Sequence, residues 1–228
     1  MKKCPLYFLA AAMLLFAQPV LSQTIKIGSV ALGMSESEVK AALASSKPRY
    51  SMQASASSEL YFLVAKSEPE SFAFTFIDGR VAAFSLVHIL LPGQEPFLPP
   101  GQEPTVSTLR NLVIKQTWKP TEINKGDTLW LRDTAGSPIA DAAQCTPASG
   151  APWLPFEPLP GSKPGELPAR SSVGLMRPDL AAYPADCGVS IHLQQEPAAS
   201  ESDRVTTVRI RVLDIAAVRE FLAKHPQH

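Results

Sequence analysis

The sequence predicts an α+β protein of two tandem units, each a helix packed on an antiparallel sheet, with a C-terminal helix and a long proline-rich loop. Three observations lead to that class. Ser35 stands three residues before Glu38, directly ahead of the apolar positions Val39, Ala42 and Leu43, so a reciprocal cap starts the first helix where its buried stripe starts. Phe72, Phe74 and Phe76 alternate with Ala73 and Thr75 and run into Asp78-Gly79, residues that tolerate the positive backbone angles of a two-residue hairpin turn, and Val81 to Leu90 runs back. Beyond a proline-rich stretch the order of helix and then strands recurs.

Residues 1–22 read as a secretory signal peptide. Lys2 and Lys3 precede an apolar run from Leu6 to Ala17, and Val20 and Ser22 occupy the −3 and −1 positions of a cleavage site before Gln23. The run is too short for a typical membrane span, and no later stretch is long and apolar enough, so no span is expected after cleavage. Cys4 lies ahead of the apolar run, whereas a lipoprotein cysteine ends it. The expected location is the periplasm or the medium. Removing Lys2 and Lys3 from 21 basic residues leaves 19 against 21 acidic ones, which argues against a nucleic-acid partner. In an exported chain the two remaining cysteines, Cys145 and Cys187, are best read as one disulfide, with two buried thiols or a metal pair as alternatives.

The first unit, 23–91, opens on the short alternation Ile25 to Ile27, an edge strand or a lead-in. A helix is expected from about Glu36 to Ser46, stopped by Pro48. Tyr50 to Ser58 is rich in Ser and Ala and shows no readable period. Glu59 to Lys66, with Leu60, Phe62 and Val64 in alternation, reads as a strand, and with the Phe72–Phe76 hairpin it makes a three-strand meander whose phenylalanine face the helix would cover. Residues 92–104 form a linker that contains Pro-Gly-Gln-Glu-Pro twice, at Pro92–Pro96 and Pro100–Pro104.

The second unit is 105–228. Thr105 or Ser107 can cap a helix carrying Val106, Leu109, Leu112 and Val113 that ends near Trp118. Strands are expected at Thr128–Arg132, Gly188–Gln194 and Arg204–Leu213, the last two adjacent, antiparallel and basic on their solvated face. Asp214 then caps a final helix with Ile215, Val218, Phe221 and Leu222 on its stripe. Residues 140–186 are too proline-rich for regular structure, with ten of the chain's 22 prolines between Pro138 and Pro184. Cys145 and Cys187 would tether that loop, and long tethered loops are often functional.

The helix opening Leu32-Gly33-Met34-Ser35-Glu36-Ser37-Glu38-Val39-Lys40-Ala41-Ala42-Leu43, followed by the meander, resembles the first motif of the BamE-type outer-membrane assembly lipoproteins. It is also similar to the unit that the beta-lactamase inhibitory protein family carries in tandem. The likeness covers Gly33 to about Leu90, and Thr105 to Leu213 by order of elements. It implies a protein-binding scaffold of the envelope or medium, with the sheet face or its loops as the contact surface.

No catalytic pattern emerges. His88, His192, His225 and His228 lack metal-ligand spacing, the thiols are expected to be oxidised, and neither a nucleophile elbow nor a phosphate loop is present. Glu36 and Glu38 are helix-start charge. The chain is therefore expected to be no enzyme, with no catalytic residue, metal or cofactor. Trp153 and Phe156 in the proline-rich loop, and Arg209 and Arg211, which with His192 can form a positive strand face, are the candidate partner contacts; the aromatic pair equally fits a seal of the loop onto the core, and the strand charges a solvated face. The expected role is to bind another protein, as an inhibitor or immunity protein against an envelope hydrolase or toxin. The alternative is an envelope-assembly or cell-wall accessory scaffold.

Overall fold

The structure, a computed structural model, describes residues 25–45, 49–56, 60–67, 70–90, 102–116, 119–145 and 184–225. Trp153 and Phe156, most of the 140–186 loop and residues 92–101 of the linker lie outside the described residues.

A two-residue ladder, β1 (Lys26–Ile27) with β2 (Val30–Ala31), leads into α1 (Glu36–Ala44). The capping box forms as the sequence predicts: the Ser35 amide donates to Glu38 Oε2 at 2.6 Å, and the Glu38 amide donates to Ser35 Oγ at 3.3 Å. The helix ends two residues short of the expected Ser46, where the Ser45 hydroxyl donates to the Ala42 carbonyl at 2.8 Å. Its stripe, Val39 and Leu43, is fully buried.

Four strands follow, not three: β3 (Ser51–Ala56), β4 (Leu60–Ser67), β5 (Glu70–Ile77) and β6 (Arg80–Ile89). The Ser/Ala-rich stretch without a readable period is β3. Asp78 and Gly79 turn β5 into β6 with φ of 50° and 72°, the two positive angles expected of them. After α2 (Val106–Gln116) come β7 (Glu122–Asn124), which the sequence does not announce, then β8 (Asp127–Asp133), a 3₁₀ turn at Ala142–Cys145, β9 (Cys187–Glu196), β10 (Thr207–Asp214) and α3 (Ile215–Lys224). Thr105 caps α2, its hydroxyl accepting from the Thr108 amide at 3.2 Å. Asp214 caps α3, accepting from the Ala217 amide at 2.9 Å.

β3 to β10 form one antiparallel sheet in the order β3-β4-β5-β6-β10-β9-β8-β7. The last strand of each run of four meets the other at the centre, where seven residue pairs join β6 to β10. Alternation splits the sheet into two faces. One carries Phe72, Phe74, Phe76, Phe84, Trp130, Ile191, Leu193 and Val212 and is covered by α1 and by Val106 and Leu109 of α2. A bulge between Thr75 and Phe76 keeps Phe74 opposite Phe84 on this side. The other face is covered at one end by Ile215, Val218 and Phe221 of α3, which pack on Leu131, Ala83 and Leu213. Cys145 and Cys187 form a disulfide inside this second cluster, with Cα atoms 5.7 Å apart.

Candidate functional site

The second face continues past α3 as two rungs across the sheet. One rung runs Ala73, Ser85, Arg211, His192 and Leu129, and the next Ser71, Val87, Arg209, Gln194 and Asp127. Among the described residues α3 and the 3₁₀ turn at Ala142–Cys145 pack on this face. The two arginines predicted from sequence therefore do share a face, two residues apart on the fifth of eight strands. They are half-buried rather than fully solvated, because strand neighbours flank them on both sides.

The structure also brings Arg211 to His192 and to a carboxylate. Arg211 Nη1 lies 3.0 Å from His192 Nδ1, and His192 Nε2 lies 3.0 Å from Asp127 Oδ1. A guanidinium only donates, so the hydrogen-bond pattern assigns Nδ1 as the acceptor and places the imidazole proton on Nε2, donated to Asp127. The chain Arg211–His192–Asp127 crosses β10, β9 and β8 and fixes the arginine head in one orientation. Ile89, 47% exposed, continues the β6 side of the face beyond Val87. Arginine is one of the residues that interface centres favour.

A second constellation lies on the helix-covered side, at the end of the phenylalanine row. Tyr50, just ahead of β3, donates its hydroxyl to Glu70 Oε2, and His88 Nδ1 lies 2.8 Å from Glu70 Oε1. His88 is 6% exposed, and Glu70 sits directly opposite it in the β5–β6 register. The hydrogen bond from His88, helped by that from Tyr50, outweighs burial and holds the Glu70 carboxyl below its ordinary range. Burial and the neighbouring carboxylate push the Tyr50 phenol far above its own. Glu70 thus stays ionised and accepts from two donors. The sequence reading treats His88 and His192 as isolated strand histidines; the structure gives each a carboxylate partner.

α2 is tied to the β9–β10 connection. Its first amides, at Val106 and Ser107, donate to the carbonyls of Asp203 and Glu201, and the guanidinium of Arg110 grips the Glu201 carboxylate with both terminal nitrogens. That pairing lowers the Glu201 carboxyl.

Among the described residues no group of three or more His, Cys, Asp or Glu side chains is placed to hold a metal ion, and no helix is long and apolar enough to cross a membrane. Comparison with protein-family models, with curated proteins and with solved structures finds no match to this chain.

Proposed function

We propose that this chain is an exported protein-binding module, periplasmic or secreted, that holds and blocks an envelope hydrolase or a toxin as an inhibitor or immunity protein. The observation that carries the reading is the half-face beyond α3, where Arg209 pairs with Val87 and Arg211 with Ser85 and the Arg211 head is oriented through His192 and Asp127. Fixed orientation lowers the entropy lost when a side chain joins an interface. The order of a helix and then four strands, met twice, supports reading the chain as two tandem helix-plus-sheet units like those of the beta-lactamase inhibitory protein family. The paired cysteines support an oxidising compartment. No catalysis, metal or cofactor is assigned.

The test uses the intact, oxidised protein as bait against its host's envelope fraction and culture medium, with bound proteins identified by mass spectrometry. The expected result is one stoichiometric hydrolase or toxin whose activity falls as this chain is titrated in. Capture of outer-membrane or cell-wall machinery, with no activity lost, would favour the assembly scaffold. Two double variants then locate the contact: Arg209→Ala with Arg211→Ala, and Trp153→Ala with Phe156→Ala. The pair at the centre of the interface is expected to lose about 2 kcal/mol or more of affinity.

A further inference from the structure

An open eight-stranded sheet has two edges, and here they differ. β7 is three residues long, carries Glu122, and is followed at once by Lys125. β3 is six residues long, Ser-Met-Gln-Ala-Ser-Ala, with neither a proline nor a charge, and it pairs with β4 in unbroken register from Ser51–Lys66 to Ala56–Tyr61. Ser51, Gln53 and Ala54 are exposed, and among the described residues no strand pairs with the outer side of β3. Sheets protect such edges by shortness, charge, proline or a bulge, because unpaired N–H and C=O groups template another strand. β7 uses the first two devices and β3 uses none.

We propose that β3 is a self-association edge, which pairs antiparallel with β3 of a second copy of this chain and joins two eight-stranded sheets into one. The choice of a second copy follows from length and closure. Laying β3 on the β7 of another molecule leaves half of β3 unpaired and propagates without end, whereas β3 on β3 uses the long edge of both and closes at two. Antiparallel pairing about a two-fold axis requires one residue to face its own copy. With Gln53 on the axis, Met52 stands opposite the partner's Ala54 and Ser51 opposite the partner's Ser55. No charge opposes another in that register, and the two Gln53 amides carry complementary donors and acceptors. A ladder of about five pairs buries less than the ~1,200 Å² of a standard stable interface, so the dimer is a weak one that dissociates readily on dilution. This inference is independent of what the arginine half-face binds.

Sedimentation velocity of the intact, oxidised protein at low ionic strength, from about 10 μM to about 1 mM, tests it. The expected result is a monomer at the low end that becomes a dimer at the high end. Gln53→Lys and Gln53→Glu, each alone, put like charges face to face and weaken association about fivefold, while an equimolar mixture of the two recovers it. Because Gln53 is exposed, both variants keep the thermal midpoint of the parent, which confirms that they fold. A monomer at every concentration overturns the proposal. So does a dimer that neither variant weakens, or a weakening that the mixture fails to reverse.

Discussion

Glu70→Gln is the most informative single change, because it removes a charge and leaves the shape. Glu70 accepts from His88 at 2.8 Å and from the Tyr50 hydroxyl, and its side chain is 25% exposed. A hydrogen bond to an ionised group contributes roughly 1.5–3 kcal/mol, about twice a neutral one. The amide keeps one acceptor oxygen and turns an NH₂ toward the second donor, so one bond is lost and the other is weakened. We expect a loss of about 2 kcal/mol, a large share of a typical stability, and a fall in Tm of about 4–8 °C for a chain of this size. The pH dependence carries its own sign. The folded carboxyl is held below its ordinary 4.5, so its contribution is fully present above that pH and is lost as pH falls through the folded value. Urea unfolding of parent and variant from pH 7 to pH 3 should therefore show curves about 2 kcal/mol apart that converge in acid. The difference is what counts, since Glu38, Glu201, Asp203 and Glu220 are also lowered. Tyr50→Phe on each background completes a cycle, with less cost when Glu70 is already Gln. A variant within about 0.5 kcal/mol of the parent, with a parallel pH profile, would refute the reasoning.

Three further outcomes are expected. Replacing Cys145 and Cys187 together by Ala frees a loop with a sequence separation of 42 and should lower urea stability by about 4 kcal/mol on the chain-entropy model, measured with thiol content confirmed. Trp130, fully buried between the helices and the sheet, should cost about 4 kcal/mol as Trp130→Ala by the same assay, with a loss of near-ultraviolet dichroism. Gly188→Ala would place a Cβ 2.3 Å from the Asp133 carbonyl oxygen, where β8 and β9 meet, and should cost about 3 kcal/mol or more; Gly79→Ala meets no atom within 4 Å and should cost only about 1 kcal/mol for its positive φ. A Gly188 variant no worse than the Gly79 variant would contradict the close approach of those strands.

What could be read from the sequence follows burial. α1, β5, β6, β9, β10 and α3 each bury a stripe of large apolar side chains, and on the strands small or polar residues such as Thr75, Ala83 and Ser190 take the other face, so their periods are written in the residues. β3 has a strand neighbour on one side only, and its Ser, Gln and Ala need no alternation; β7 is too short to show one. Arg209 and Arg211 were legible as face-sharing residues because the period of two is enough to place them together. His192 is legible on the same face; the hydrogen bonds that join Arg211 to it and it to Asp127 are not, since they need the β8–β9–β10 register, and Asp127 lies 65 positions from His192.

The Tyr50–Glu70–His88 cluster shows how one residue hides a site. Counting back from the Asp78-Gly79 turn, Ile77 pairs with Arg80 and Phe76 with Val81, and a regular hairpin would then put Glu70 opposite Val87. The bulge inserts Ala82, so Thr75 pairs with Ala83, Phe74 with Phe84 and Glu70 with His88. A one-residue slip moves every side chain to the opposite face, so without the bulge Val81 and Phe84 could not both reach the core. The sequence does not show it, because β6 buries both faces here, Ala82 and Ala83 as well as Val81 and Phe84, so no spacing stands out. The same inserted residue that satisfies the phenylalanine packing therefore delivers His88 to Glu70, and the polar cluster is a consequence of how the core closes.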